Sequence, residues 1–208
     1  MSLTSGVLQV LNGPTVARIR FRFPIRGGHV TITPQTFHHV ARAIVSGRVI
    51  VRPPTDLAPG IPAQYNATPR NRADGTTVQA NTLEIASASG RKNEAFIVHE
   101  SLHAAYDLLR TGIDANAEEA SAYVCAALCL RMTGFHADWD SNQIWQNAKP
   151  VVETLLRQYQ MGVSGIPTVG EHEWHMLRAA VGLHPVYAAL RAGIFTGWVL
   201  GMQYTHDG

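Results

Sequence analysis

Cysteine, charge and long apolar runs are all scarce in this 208-residue chain. Its two cysteines, Cys125 and Cys129, stand four apart in a segment that reads as helix. A disulfide within one helical turn is geometrically poor, so they read as two buried thiols and favour a reducing compartment. Charged residues make up 15% of the chain against 46% hydrophobic, which places it among globular rather than disordered proteins. The net charge of +2 is too small an excess to argue for a nucleic-acid partner. Met1 to Val16 has neither a basic n-region nor a sustained apolar core, so no cleaved secretory signal is expected. The apolar stretch Ala192 to Met202 is interrupted by Thr196 and glycines and is too short to span a bilayer. The expectation is a protein without a transmembrane segment or membrane partner, cytoplasmic or exported without a cleaved signal peptide. No internal repeat and no low-complexity segment is present.

The chain reads as one α+β domain over residues 1–208, with a strand-rich lobe (1–88) and a helical lobe (89–208). Val16 to Phe23 alternates apolar residues with arginines, as a half-buried strand does. Arg18, Arg20, Arg22 and Arg26 crowd this strand, and Arg42, Arg48 and Arg52 follow. They read as a solvated face or, alternatively, as a groove for an acidic partner. Gly27-Gly28 breaks the strand, and His29 to Ile32 forms another. Thr33-Pro34 looks like a helix cap with proline at the first position, opening a helix that stops at Gly47. Arg48 to Arg52 is a third strand. Residues 53–75 form a long turn-rich connection with a possible short strand near Ala63 to Ala67. Thr76 to Ser87 is a strand or hairpin arm, with Leu83 and Ile85 on one side and Thr82, Glu84 and Ala86 on the other. Helices are then expected from about Lys92 to Arg110, capped at Asp114 or Asn116 and running to Met132, from Ser141 to Met161 with Pro150 kinking or dividing it, from Glu171 to Leu183, and after His184-Pro185.

The chemistry is concentrated in Phe96-Ile97-Val98-His99-Glu100-Ser101-Leu102-His103. Residues four apart on a helix lie one above the other, so His99 and His103 can present two imidazoles to one metal ion. Glu100 is then placed to reach a water at that metal, which is the working arrangement of a zinc hydrolase. A catalytic zinc site has three protein ligands and keeps a fourth position open. The next helix opens with Glu118-Glu119, and a short loop brings its start close to the end of the first. Either glutamate can serve as the third ligand. Equally, acidic residues are favoured in a first helical turn, and Asn116 with Glu119 has capping-box spacing. Two adjacent glutamates also permit one to face inward while the other caps or meets water.

The order strand, His-Glu-x-x-His helix, glutamate-bearing helix resembles the zincin metallopeptidases, specifically the gluzincin type. Glu119-Ala120-Ser121-Ala122-Tyr123 resembles the stretch that opens the glutamate helix in that group, and Asp107 stands four residues after His103 as in the thermolysin-type helix. The resemblance spans about residues 76 to 130. It implies a zincin-like fold, a Zn2+ ion held by His99, His103 and Glu119, Glu100 as general base, and peptide or protein substrates. It also implies a donor to the oxyanion, for which Tyr123, His172, His175, His184 and Tyr187 are candidates. Asp107 and Tyr123 are candidates to orient a ligand histidine. The strand near Thr82 to Ala86 is expected at the sheet edge, open to an extended peptide. A zincin-like scaffold that binds metal or a protein without catalysis, for instance an effector- or toxin-associated domain, is the competing reading.

Overall fold

Ten consecutive residues, Ile97 to Tyr106, are buried in a single helix although four of them are His, Glu, Ser and His. The helix does not have one wet face and one dry face: it is surrounded. Burial of that kind is costly unless a polar side chain meets a partner, and the neighbours of this helix supply one for His99, Glu100 and His103, while Ser101 Oγ has none among the described residues.

The computed structural model describes residues 2–54, 57, 62–71, 75–135, 142–185 and 187. Within them the chain is α+β. It runs α1 (Leu3–Leu11), a 3₁₀ turn (Val16–Arg18), β1 (Phe21–Ile25), β2 (Gly28–Ile32), α2 (Pro34–Val45) and β3 (Ile50–Arg52). Then come β4 (Ala63–Asn66), β5 (Arg70–Asn71), β6 (Thr77–Val78), β7 (Thr82–Ile85), α3 (Arg91–Leu109), α4 (Ala115–Met132), α5 (Gln143–Gln160) and α6 (Glu171–Leu183). No described helix is long and apolar enough to cross a membrane.

The surrounded helix is α3. It packs against α1, α2, α4 and β4. Its start at Gly90 carries no side-chain cap, and its end is set by Arg110 in the left-handed region (φ 50°), one residue before the expected Thr111-Gly112 stop. Alanines at 104, 105, 117, 120 and 122 are all buried, which lets α3 and α4 approach closely. Asp114, one of the two candidate caps, accepts from the Ala117 N–H at 3.0 Å.

β3, β7 and β4 form a three-stranded sheet in the order β3-β7-β4, with β3 parallel and β4 antiparallel to β7. The expectation that Thr82 to Ala86 is an edge is therefore wrong: β7 is the central strand. Among the described residues, β4 is the edge that meets α3. All four β7 residues are buried. Glu84, on the face opposite Leu83 and Ile85, is covered because Arg70 Nη2 donates to it at 2.9 Å and Asn66 Nδ2 at 3.2 Å.

Three further departures have physical causes. Leu3–Leu11 is a helix with no strong signal in the sequence, capped by Ser2 Oγ accepting from the Ser5 N–H. Its Gly6 lies so close to the segment after β7 that an added Cβ would sit 2.6 Å from Ala88 Cβ. Val16 to Arg18 is a 3₁₀ turn, so the first strand starts at Phe21 and not Val16. Pro150 lies inside α5 without dividing it. The short strand expected near Ala63 is β4, and α2 opens at Pro34 as expected. Ser141 lies outside the described residues, as does the last expected helix apart from Pro185 and Tyr187.

Candidate metal centre

α3 places His99 and His103 one turn apart with ring centroids 5.1 Å from each other. α4 follows after the short connection Arg110 to Asp114 and presents Glu119 to both rings. Glu119 Oε2 is 3.5 Å from His99 Nε2, and its Oε1 is 3.6 Å from His103 Nε2. One donor atom from each of the three residues lies within 4.8 Å of the others, and all three residues are buried. Two imidazole nitrogens and one carboxylate at that spacing are a donor set able to hold a metal ion.

Glu118 has a different task. Its Oε1 is 2.7 Å from His103 Nδ1. A carboxylate there accepts a hydrogen bond from Nδ1–H and so leaves the Nε2 lone pair directed at Glu119 and His99, the arrangement that orients metal-ligating histidines. Glu118 therefore neither caps α4 nor meets water: it is 1% exposed. In the metal-free chain, burial lowers the affinity of His103 for a second proton, but Glu119 and Glu118 together outweigh it and push the imidazole up to about 10.

Glu100 sits at the base of the triad, where burial raises its carboxyl above the usual range while His99 and His103 pull it back. Its Oε2 accepts from the Tyr65 backbone N–H at 2.8 Å. Tyr65 is fixed in turn, since its hydroxyl donates to Asp107 Oδ2 at 2.7 Å and lies 3.0 Å from Asn81 Oδ1. Asp107 thus ties α3 to β4, and the carboxylate that aligns His103 is Glu118.

Of the five candidate oxyanion donors, two reach the triad. Tyr187 Oη donates to Glu119 Oε2 at 3.1 Å and lies 3.2 Å from Tyr123 Oη. The Tyr123 ring meets His99 edge-on at 4.9 Å. His184 packs near Tyr187, with ring centroids 5.7 Å apart. His172 and His175 are exposed on α6, either side of the buried Trp174.

Residue chemistry in the sequence pointed to the triad and to Glu100. It missed Tyr65, whose contribution is a backbone donor without a side-chain signature, 35 residues upstream of Glu100. It also missed the pairing of Glu118 with His103. That could be found only by asking which group accepts from Nδ1–H once Nε2 faces a metal.

No family model matches the chain, and neither a curated protein nor a solved structure does.

Proposed function

We propose that this chain is a zinc-dependent metallopeptidase of the zincin, gluzincin-like kind, hydrolysing peptide bonds with Glu100 as general base. The observation that carries this reading is the buried His99, His103 and Glu119 triad with the Glu100 carboxylate beside it. The donor set fits zinc: two imidazoles and a carboxylate, with the Nδ1 of one imidazole held by Glu118. A bound zinc ion supplies Lewis-acid polarisation of a carbonyl and acidifies water.

The chain's own groups do the rest. The Tyr65 N–H holds Glu100 Oε2, which leaves Oε1 to take a proton from the attacking water and deliver it to the departing amine. Burial supports that role by keeping the carboxyl's proton affinity above that of a solvated glutamate. Tyr187 is the better supported hydroxyl donor to a developing oxyanion, because it already lies beside Glu119.

Metal content and peptide cleavage test the reading together. Wild type is expected to hold about one zinc per chain and to cleave an unstructured protein substrate. Glu100→Gln is expected to keep the zinc and lose cleavage by about 10²–10⁴-fold, the size of a general-base contribution. Equal cleavage by both proteins would sink the mechanism. Metal bound by both with cleavage by neither would leave the non-catalytic scaffold.

A further inference from the structure

The β1–β2 hairpin carries an arrangement that the metal centre does not use. No acidic residue precedes Asp56, so all fifteen acidic residues lie in the rest of the chain. Arg18, Arg20, Arg22, Arg26, Arg42 and Arg48 are exposed. Among the described residues none of them lies within ion-pair distance of a carboxylate.

The hairpin register sorts these groups. Ile25 pairs with Gly28, Phe23 with Val30 and Phe21 with Ile32, closing over Arg26-Gly27. Phe21 and Phe23 are fully buried, so the alternate residues Arg20 and Arg22 face outward, with Thr31 across from Arg22 and His29 across from Pro24 on the same face.

The two edges of the hairpin differ. The outer edge of β1 is occupied. Tyr159 Oη donates to Arg20 O, the Arg22 N–H donates to Pro167 O, the Val169 N–H donates to Arg22 O, and Trp174 Nε1 donates to Pro24 O. The outer edge of β2 presents the N–H and C=O of His29 and Thr31, and no described residue bonds to them. A sheet edge left open in this way is a template for another strand.

We propose that the outer edge of β2 is a docking site for an extended acidic peptide segment of a partner protein, added as a third antiparallel or parallel strand. Backbone bonds to His29 and Thr31 give the register. A strand added there lies about 10 Å, two strand spacings, from β1. Its outward-facing aspartates and glutamates pass over His29 and Thr31 toward Arg26 at the turn and the positive field of Arg20 and Arg22; Arg22 Nε also donates to Thr168 Oγ1 at 2.8 Å. Charge complementarity selects an acidic occupant over a second copy of this chain, whose own β2 edge would bring like charges together.

The test uses the full chain and a fluorescent peptide of alternating glutamate and valine, with a lysine-for-glutamate peptide as control, followed by anisotropy. Two variants separate the contributions. Arg20→Glu with Arg26→Glu reverses the charge on side chains outside the core. Thr31→Pro removes one outward N–H at an edge position where proline is tolerated. Binding of the acidic peptide alone, weakened by salt and by about tenfold or more in each variant, is the expected result. Binding that survives Thr31→Pro overturns strand addition. Absence of binding overturns the site, as does tighter binding of a single-stranded oligonucleotide of equal charge. Slow exchange of the His29 and Thr31 amides in the free protein, or a dimer that Thr31→Pro dissociates, puts another occupant on this edge and overturns the proposal too. None of these readouts depends on the metal or on peptide cleavage.

Discussion

Glu118 and Glu119 are neighbours in sequence, are equally buried, and address opposite nitrogens of one histidine. The 100° step between consecutive helical residues separates their Cα–Cβ vectors, and the length of a glutamate lets both reach the His103 ring from different sides. The one at Nε2 belongs to the donor set. The one at Nδ1 fixes which nitrogen carries the proton. Glu118→Gln is therefore expected to retain one metal per chain but weaken its affinity about 10–100-fold, the usual cost of losing such a partner. Competition against a chromophoric chelator measures it. Affinity equal to wild type would mean that the His103 tautomer is held by something else. The sequence separates the two glutamates only through a resemblance, because the same residue type suits both tasks.

At the scale of elements, the informative helices are the least amphipathic. α3 and α4 are buried on nearly every side, so their period-3.6 pattern is blurred by apolar and small residues all round. Existence and extent could still be read from length and terminal signals, and Asp114 capped where it should. α1 is the opposite case. Thr4-Ser5-Gly6 is a poor helix opening by intrinsic preference, yet the segment is helical because Val7 and Leu11 bury in the core and Gly6 permits close approach to Ala88. Gly6→Val is expected to cost about 1–3 kcal/mol through overpacking, read as a lowered urea midpoint with unchanged slope. A neutral substitution would show that α1 can move off the sheet segment without loss.

Over the whole molecule, the three-stranded sheet and α4 hold α3 from two sides, and the site lies where they meet. The sheet's outer face is closed by a buried ion pair, Arg70 Nη2 to Glu84 Oε2 at 2.9 Å. Removing one partner leaves a buried charge uncompensated, so Glu84→Ala is expected to destabilise the fold by about 3–5 kcal/mol, seen as a large fall in Tm. A loss no greater than that of an exposed ion pair would mean the sheet face opens to water. Metal and fold should also be coupled. A ligand that binds only the folded chain adds stability by mass action, so stripping metal with a chelator is expected to lower Tm, and zinc should restore it. The His99→Ala protein should show neither response. The same Tm with and without metal would detach the triad from folding.

By itself the sequence determined the α+β class, the helical stretch carrying His99, Glu100 and His103, the glutamate pair after it, and Asp114 as one of two possible caps. These are local: spacing on a helix puts residues four apart on one face whatever surrounds them, and a cap acts within three residues. Tertiary structure alone decided that β7 is central and β4 the edge at the site, that a backbone N–H from Tyr65 holds Glu100, that Asp107 binds a tyrosine, and that Tyr187 comes back to Glu119. Each of these joins groups 35 or more residues apart, or depends on strand order. Strand order is set by which faces bury together, and a strand's own alternation reports which side chains face inward but not which neighbour lies on either edge.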